Sequence, residues 1–347
     1  MNMVDCLVVG FGISGVSITA HFEALGKKVI VVDGKQTKAS VVAGGMYNPV
    51  ILKRFSLAWD ADNQLDYAKE FYSSLEKRFK VDFNTSLNIY RKFTSIKEQN
   101  TWFSKLENPV LNKYMCSELA SSPSSSISDD FNFGKLKGTG RVEVEKLIDI
   151  YKKDLLLKEA FIEEDFDYAK LKIKNDSIVY KDICARNIVF CEGYGLKKNP
   201  FFNKLPLVGN KGSYIVFECK ELLLHDVLKT HFFLIPLGNN KYKFGATYEN
   251  HFKDKDHDSA AKLQLINELE KLISTPYVVI EQLTGIRPTV IDRKPLVGRH
   301  SQYNNLYVCN GLGTRGIIIA PTSAKLLVNN IVKGSSVPAE ININRFY

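Results

Sequence analysis

The feature that most constrains this chain is a glycine-rich turn near its N-terminus, in the stretch VVGFGISGVSITA. Gly10, Gly12 and Gly15 follow an apolar run that ends at Val9, and they precede a segment with helical spacing. The order strand, turn, helix is that of a dinucleotide-binding unit. In such a unit Gly10 permits the tight turn, Gly12 lets the backbone approach a pyrophosphate, and Gly15 lets helix and strand pack closely.

The next segments complete that unit. Residues 28–32 are typical of a second buried strand, and Asp33 ends it, so that its carboxylate can accept hydrogen bonds from ribose hydroxyls. The pyrophosphate would sit at the free N–H groups and positive end of the helix dipole, beside Ile13 and Ser14. We therefore predict a dinucleotide site, with a glycine-rich turn that binds nothing as the alternative. The turn alone does not distinguish NAD from FAD.

Composition indicates a globular protein of two or three structural units. The chain has 347 residues, 45% hydrophobic and 24% charged, and no apolar run reaches the ~18 residues of a membrane span. Cysteines occur without a CxxC pair and histidines without metal-ligand spacing. We therefore expect buried thiols rather than disulfides, no metal and no membrane partner. Because the first residues run into a strand without a basic leader, we expect a cytoplasmic location.

The net charge of +9 favours polyanionic partners through long-range attraction. The basic residues lie in short, scattered clusters such as KLKIK and KYK, which a solvated lysine-rich surface explains equally well. The charge therefore supports a nucleic-acid hypothesis without establishing it.

The remaining segments predict a strand-rich unit inserted among nucleotide-binding elements. The serine-rich residues 118–130 predict an exposed loop, and residues 187–195 predict a strand that enters a second glycine turn. Further helices are predicted at 62–79, 141–155 and 258–273, and further strands at 214–218, 232–236, 242–247 and 277–281.

Four further motifs resemble the FAD-dependent D-amino-acid oxidase/glycine oxidase superfamily, over essentially the whole chain. They are ASVVAGGMYNP (39–49), NIVFCEGYG (187–195), TGIRPTVIDRKPLVG (284–298) and NGLGTRGIIIAP (310–321). Within that superfamily AGGMYNPVILKR, FGATYE and GLGTRG most resemble the oxidase domain of the bifunctional tRNA 5-methylaminomethyl-2-thiouridine biosynthesis proteins.

The resemblance implies an α/β fold with two domains. One is a Rossmann-type FAD-binding domain of the glutathione-reductase-like kind, and the other is an inserted α+β substrate domain built on a mainly antiparallel sheet. We assign residues 1–82, 140–204 and 288–347 to the FAD-binding domain, and residues 83–139 and 205–287 to the substrate-binding domain.

The resemblance also implies which residues contact FAD in addition to the first glycine turn and Asp33. These further residues are Gly44, Gly45, Met46, Gly193, Gly313, Thr314, Arg315 and Gly316. Arg315 has two interpretations: it adds positive charge beside the flavin, or it points outward to substrate or tRNA. We expect FAD to be bound non-covalently, because Cys309 lies in a strand-like segment.

Substrate residues follow from the same resemblance. Arg287 matches the family arginine that binds a substrate carboxylate through its planar fork, with a structural salt bridge as the alternative. Lys53 or Arg54 is the candidate for a cation that assists oxygen reduction, with Lys53 preferred, and a solvated surface pair explains these two residues equally well. Tyr47 and Tyr248 are candidates for lining the substrate pocket, and an aromatic residue on a strand also suits a core position.

Together these motifs predict an FAD-dependent oxidoreductase acting on CH–NH bonds, in which hydride moves from the carbon beside an amine to the flavin. The preferred substrate is the carboxymethylaminomethyl group of a tRNA wobble uridine, so an amine and tRNA are the expected partners. One alternative is an oxidase of free glycine, sarcosine or a D-amino acid. The other is a non-catalytic flavoprotein, stabilised by FAD, that binds tRNA or a partner protein.

Overall fold

A computed structural model describes residues 3–252 and 258–347. Its strands, in chain order, are β1 (Val4–Val9), β2 (Val29–Asp33), β3 (Met46–Tyr47), β4 (Val50–Ile51), β5 (Ser56–Leu57), β6 (Asn84–Ser86), β7 (Ile89–Lys92), β8 (Met115–Ala120), β9 (Phe133–Leu136), β10 (Gly140–Val142), β11 (Phe161–Glu163), β12 (Leu171–Ile173), β13 (Ile178–Tyr180), β14 (Ile183–Phe190), β15 (Leu207–Glu218), β16 (Val227–Lys229), β17 (Phe233–Gly238), β18 (Lys241–Gly245), β19 (Val278–Val290), β20 (Leu296–Arg299) and β21 (Leu306–Asn310). Its helices are α1 (Ile13–Ala24), α2 (Ala39–Val42), α3 (Ala61–Phe79), α4 (Ile96–Lys105), α5 (Pro109–Asn112), α6 (Val144–Leu157), α7 (Ser259–Glu270) and α8 (Gly316–Lys333), with short 3₁₀ helices at Tyr168–Lys170, Gly193–Lys198 and Ile343–Phe346.

The first sheet contains the dinucleotide-binding unit. Its parallel strands lie in the order β11, β2, β1, β14, β21, and β12, β13 and β20 extend it by antiparallel pairing. Alternate residues of β1 enter different clusters: Val8 packs with the helices on one face, and Leu7 packs with Ile188 and Leu306 on the other. Burial on both faces is what a parallel sheet requires, and it explains the continuous apolar run LVV at the end of β1.

The second sheet is mainly antiparallel, in the order β19, β15, β18, β17, β16, β7, β9, β8, and only its β16–β7 pair is parallel. Leu265 and Leu269 of α7 pack on one face, in a cluster with Ile215, Phe217 and Phe244. The α/β class and the mainly antiparallel second sheet are therefore as predicted. The residue bounds of the two domains stay a prediction.

Three element predictions are corrected. The helix expected from residue 141 begins at Val144, because Arg141 pairs with Met46 and Thr85 in a small sheet. The predicted strand 277–281 extends to Val290, because all of β19 pairs with β15. The serine-rich loop 118–130 is not wholly exposed, since Ile127 is buried against the second sheet.

Within the described ranges, each helix is too short or too polar to cross a bilayer.

Candidate active site

A cavity of ≈ 2130 Å³ lies between the carboxyl ends of the parallel strands and one face of the second sheet. Small-ligand pockets usually measure about 300–1,000 Å³, so this space is large enough for a dinucleotide together with a substrate. Open α/β sheets bind ligands at the carboxyl ends of their strands. Every site residue predicted from the sequence lines the cavity except Gly15 and Tyr47.

The first glycine turn has the predicted geometry. Gly10 has φ +92°, and a Cβ there would lie 2.7 Å from the backbone oxygen of Cys191, so only glycine suits this position. A Cβ on Gly15 would collide with the backbone oxygen of Gly10. Gly15 therefore lies behind the turn and allows α1 to pack against β1, while Gly12 and the first residues of α1 face the cavity.

Asp33 is held at the cavity by two contacts. Its Oδ1 accepts a hydrogen bond of 3.0 Å from the N–H of Phe11, and its Oδ2 lies 2.9 Å from Nζ of Lys38. Ile13 N–H, in the first turn of α1, donates to Oγ of Ser40 at 3.2 Å. The sequence analysis did not identify Lys38 and Ser40, since their positions depend on how the loop after β2 folds back on the turn.

The small-residue loop fits closely between strands. Gly45 has φ +68°, and a Cβ there would collide with the backbone oxygen of Val142. A Cβ on Gly44 would collide with the side chain of Ile235 on β17. These glycines let the main chain occupy a narrow space beside the cavity. Met46, the next residue, lines the cavity.

The loop before α8 forms the opposite side of the cavity. Gly313 has φ +58° and donates its N–H to Pro288 O at 2.9 Å. Arg315 points inward: Nη1 donates to Asn48 O, and Nη2 lies 3.4 Å from Val50 O. Burial lowers the pKa of Arg315 to about 10. Of its two interpretations, the inward orientation is the one observed, and Arg315 connects the start of α8 to the loop at 48–50.

Arg287 faces the cavity from β19. Its Nη1 donates to Oδ1 of Asn210 at 2.6 Å and to the backbone oxygen of Thr247 at 3.2 Å. The guanidinium carbon lies 4.4 Å from the ring centroid of Tyr248. In the described ranges no carboxylate pairs with Arg287, so the alternative of a structural salt bridge does not apply there. Burial raises the pKa of the neighbouring Tyr214, and the charge of Arg287 opposes that effect.

The two tyrosine candidates differ. Tyr248 is 68% exposed and covers the Arg287 guanidinium at the cavity surface. Tyr47 is 3% exposed, lies in the hydrophobic core and does not line the cavity. Successive residues of a strand point to opposite sides, so Met46 faces the cavity and Tyr47 faces away. Tyr47 is therefore a core residue, and the structure places it outside the predicted substrate pocket.

Lys53 lies in the turn between β4 and β5 and is exposed at the edge of the cavity, whereas Arg54 is exposed and does not line the cavity.

Glu192 also lines the cavity and was not predicted from the sequence. Its carboxylate accepts hydrogen bonds from the hydroxyl of Tyr168 and from Nδ2 of Asn199, and burial raises its pKa to about 6. Its position, two residues after the end of the buried strand β14, was the only sequence signal for it.

The residues present fit a dinucleotide cofactor. The glycines at positions 10 and 12, the first turn of α1 and the carboxylate of Asp33 all face a cavity of sufficient volume. Gly193, with φ +57°, continues the same wall. Cys309 is fully buried in β21 and does not line the cavity. The described residues contain no group of histidine, cysteine and acidic side chains that would hold a metal ion.

Comparison with known proteins finds relatives of two kinds, tRNA biosynthesis proteins and glycine oxidases. The chain is 22% identical over 204 residues to the tRNA 5-methylaminomethyl-2-thiouridine biosynthesis bifunctional protein of Shewanella sediminis, covering 46% of this chain and 28% of that protein. It is 24% identical over 163 residues to the glycine oxidase of Bacillus subtilis, covering 44% of this chain and 42% of that protein. The matches thus span less than half of either relative.

The fold is similar to that of the glycine oxidase of Bacillus cereus, with a TM-score of 0.78, 18% identity and coverage of 96% of each chain. A family model described as FAD dependent oxidoreductase, DAO, matches residues 5–330. That range includes both glycine loops, Arg287 and nearly the whole of both sheets, so the cofactor of this site is FAD. The chain belongs to the DAO family of FAD-dependent oxidoreductases.

Proposed function

We propose that this chain oxidises the C–N bond of a glycine-like secondary amine, the carboxymethylaminomethyl group of a tRNA wobble uridine. Arg287 carries the proposal. Its guanidinium lines the cavity, contacts the neutral oxygens of Asn210 and Thr247, and has no carboxylate partner in the described parts of the chain. A planar guanidinium that lacks a carboxylate partner suits the carboxylate of a substrate, which it can bind through two charge-assisted hydrogen bonds.

The other residues of the site support binding and orientation. Bound FAD supplies the hydride-accepting chemistry. Asn210 and Thr247 fix one end of the guanidinium, and the Tyr248 ring covers its face and shields it from water. The first N–H groups of α8 and the charge of Arg315 make that side of the cavity positive. Lys53, at the cavity edge, is proposed as the cation that assists oxygen reduction.

The assignment to tRNA is supported by the similarity to tRNA biosynthesis proteins and by the net charge of +9. We accordingly place the reaction in the cytoplasm. A second candidate, oxidation of free glycine or a similar small amino acid, is favoured by the similarity to glycine oxidases in sequence and in fold.

Anaerobic mixing of the FAD-loaded protein with candidate substrates tests the proposal. We expect tRNA that carries the carboxymethylaminomethyl group to bleach the visible absorption of the flavin, and unmodified tRNA to leave it unchanged. Bleaching by glycine or sarcosine but not by the modified tRNA would select the second candidate. Bleaching by none of these amines would favour a flavoprotein whose FAD is structural.

Replacement of Arg287 tests the carboxylate site. Arg287→Ala should retain FAD but lower kcat/KM for the modified tRNA by roughly 30-fold to 1,000-fold, because loss of a buried charge-pair partner costs about 2–4 kcal/mol. Arg299→Ala is the matched control, since Arg299 is exposed on β20 and lies outside the cavity lining. Equal kcat/KM in both variants would remove Arg287 from the proposed role.

A further inference from the structure

One cross-strand row of the second sheet forms a wall of the cavity. The row runs from Tyr214 on β15 through Gly245 on β18 and Phe233 on β17 to Lys229 on β16 and Arg91 on β7. All five residues line the cavity. Directly opposed residues of neighbouring strands point to the same face, so the wall is aromatic at one end and cationic at the other.

Lys229 is a half-buried cation without a carboxylate partner in residues 3–252 and 258–347. Its Nζ donates to the backbone oxygen of His231 and lies 4.5 Å from the ring centroid of Phe233. Burial and the charge of Arg91 lower its pKa to about 7. Arg91 itself lies 2.6 Å from Glu98. Glu98 pairs with Arg91 and not with Lys229, and an anionic ligand beside Lys229 would favour its protonated form.

The hairpin that carries Lys53 lies at the same end of the wall. Phe55 of that hairpin packs edge to face on Trp102, with 5.3 Å between the ring centroids. Trp102 in turn packs on Phe93, the residue that follows β7. Lys53 lines the same cavity.

This cationic end is far from Arg287. The Arg287 guanidinium lies over Gly212 on β15, and Lys229 stands three strands away, beyond β18 and β17. Neighbouring strands lie ~4.8 Å apart, so the main chain at Gly212 and the main chain at Lys229 are separated by roughly 14 Å across the sheet. One amino acid spans at most ~3.6 Å. Glycine or sarcosine held at Arg287 therefore does not reach Lys229, whereas a nucleotide that carries the amine is long enough to contact both.

We infer that Lys229, supported by Arg91 and next to the exposed His231, forms a second anion subsite that binds a phosphate group of the nucleotide carrying the amine. Lys229 would donate a charge-assisted hydrogen bond to a phosphate oxygen, as lysines commonly do in phosphate sites. The identity of this ligand rests on the proposed function. The subsite itself rests on the cross-strand row and on the charge that no carboxylate balances.

Binding of a pentamer of uridylate to the FAD-loaded protein tests the subsite, by fluorescence anisotropy at several salt concentrations. We expect Lys229→Gln to weaken binding about tenfold and to reduce the slope of log Kd against log salt by about 0.7, the value for one phosphate contact on a single strand. Lys229→Arg should restore most of the affinity, because it restores the charge. His231→Glu, an exposed change in the same turn, should weaken binding at least as much.

Lys241→Gln is the matched control, because Lys241 is exposed on β18 and lies outside the cavity lining. We expect it to change affinity less than twofold. Unchanged binding in both Lys229→Gln and His231→Glu overturns the subsite, and so does an equal loss in Lys229→Gln and Lys241→Gln. The proposed function is judged separately by flavin bleaching, so RNA binding through Lys229 without bleaching rejects the amine substrate and leaves the subsite standing.

Discussion

The guanidinium of Arg287 lies over Gly212, so close that a Cβ on Gly212 would collide with both of its terminal nitrogens. Gly212 pairs with Gly285 on the neighbouring strand, and Arg287 pairs with Asn210, two residues away along β15. The arginine side chain thus runs back along the sheet into space that only a glycine leaves free. Gly212 is therefore a positioning residue for the proposed carboxylate site.

Gly212→Ala should displace the Arg287 guanidinium and raise KM for the amine substrate about tenfold or more, since a misplaced guanidinium no longer binds the carboxylate through both nitrogens. The flavin content should stay the same. Arg299→Ala is the control, because Arg299 is exposed and lies outside the cavity lining. Steady-state kinetics of both variants check this, and an unchanged KM in Gly212→Ala contradicts it.

The glycines of the first turn should differ in what their replacement damages. Gly15→Ala places a methyl group against the Gly10 backbone oxygen and should lower the free energy of unfolding by about 1–3 kcal/mol even without cofactor. Gly12→Ala meets only Ser40 Oγ at 3.2 Å and should mainly weaken FAD binding. Chemical unfolding of the cofactor-free variants, with FAD titration of the folded ones, separates the two effects. Equal stability of both variants would contradict the packing role of Gly15.

Removal of the Arg315 charge should loosen the loop that it holds. Arg315→Met deprives the backbone oxygens of Asn48 and Val50 of a donor and should lower the free energy of unfolding by about 1–3 kcal/mol. The β4–β5 hairpin should also be cleaved faster in limited proteolysis. Arg299→Met, at an exposed position, serves as the control. Unchanged cleavage at the hairpin would show that Arg315 does not hold it.

Glu192 should make the stability of the cofactor-free protein depend on pH. Burial raises its pKa from 4.5 to about 6, so between these values the folded state keeps a proton that the unfolded state has lost. The free energy of unfolding therefore falls as pH rises through that window, by at most about 2 kcal/mol from this group. Above it the contribution is constant.

Glu192→Gln should remove that dependence, so that the difference in unfolding free energy between wild type and variant changes from pH 4.5 to about 6 and then levels off. Urea unfolding of both proteins across this range measures it. A difference that is independent of pH would show that the carboxyl group titrates alike in both states.

The sequence predicts best what is local. The glycine turn, α1 and Asp33 lie within one short βαβ unit, so their spacing alone defines the geometry. The surroundings of Arg287 depend instead on β15, whose residue Asn210 lies 77 positions away in the chain. The row from Tyr214 to Arg91 likewise requires the strand order of a whole sheet, which no pattern in one strand specifies.

Tyr47 shows a different reason for failure. Its two-residue strand gives no alternation from which to decide whether Met46 or Tyr47 faces the cavity, and pairing with Gly140 on β10 decides it. The motif resemblance concerned residues 39–49 as a whole and carried no information about the direction of the Tyr47 side chain.

The hydroxyl of Ser14 in α1 donates to the backbone oxygen of Cys309 at 2.7 Å, across 295 positions of sequence. This bond connects α1, beside the FAD cavity, to β21, and β14 separates β1 from β21 in the sheet. During synthesis the N-terminal turn emerges long before its partner loop, and domains generally fold in the order of synthesis. A ribosome-bound chain that stops before residue 306 would consequently lack β21 and α8, so stable binding of FAD requires that both have been synthesised.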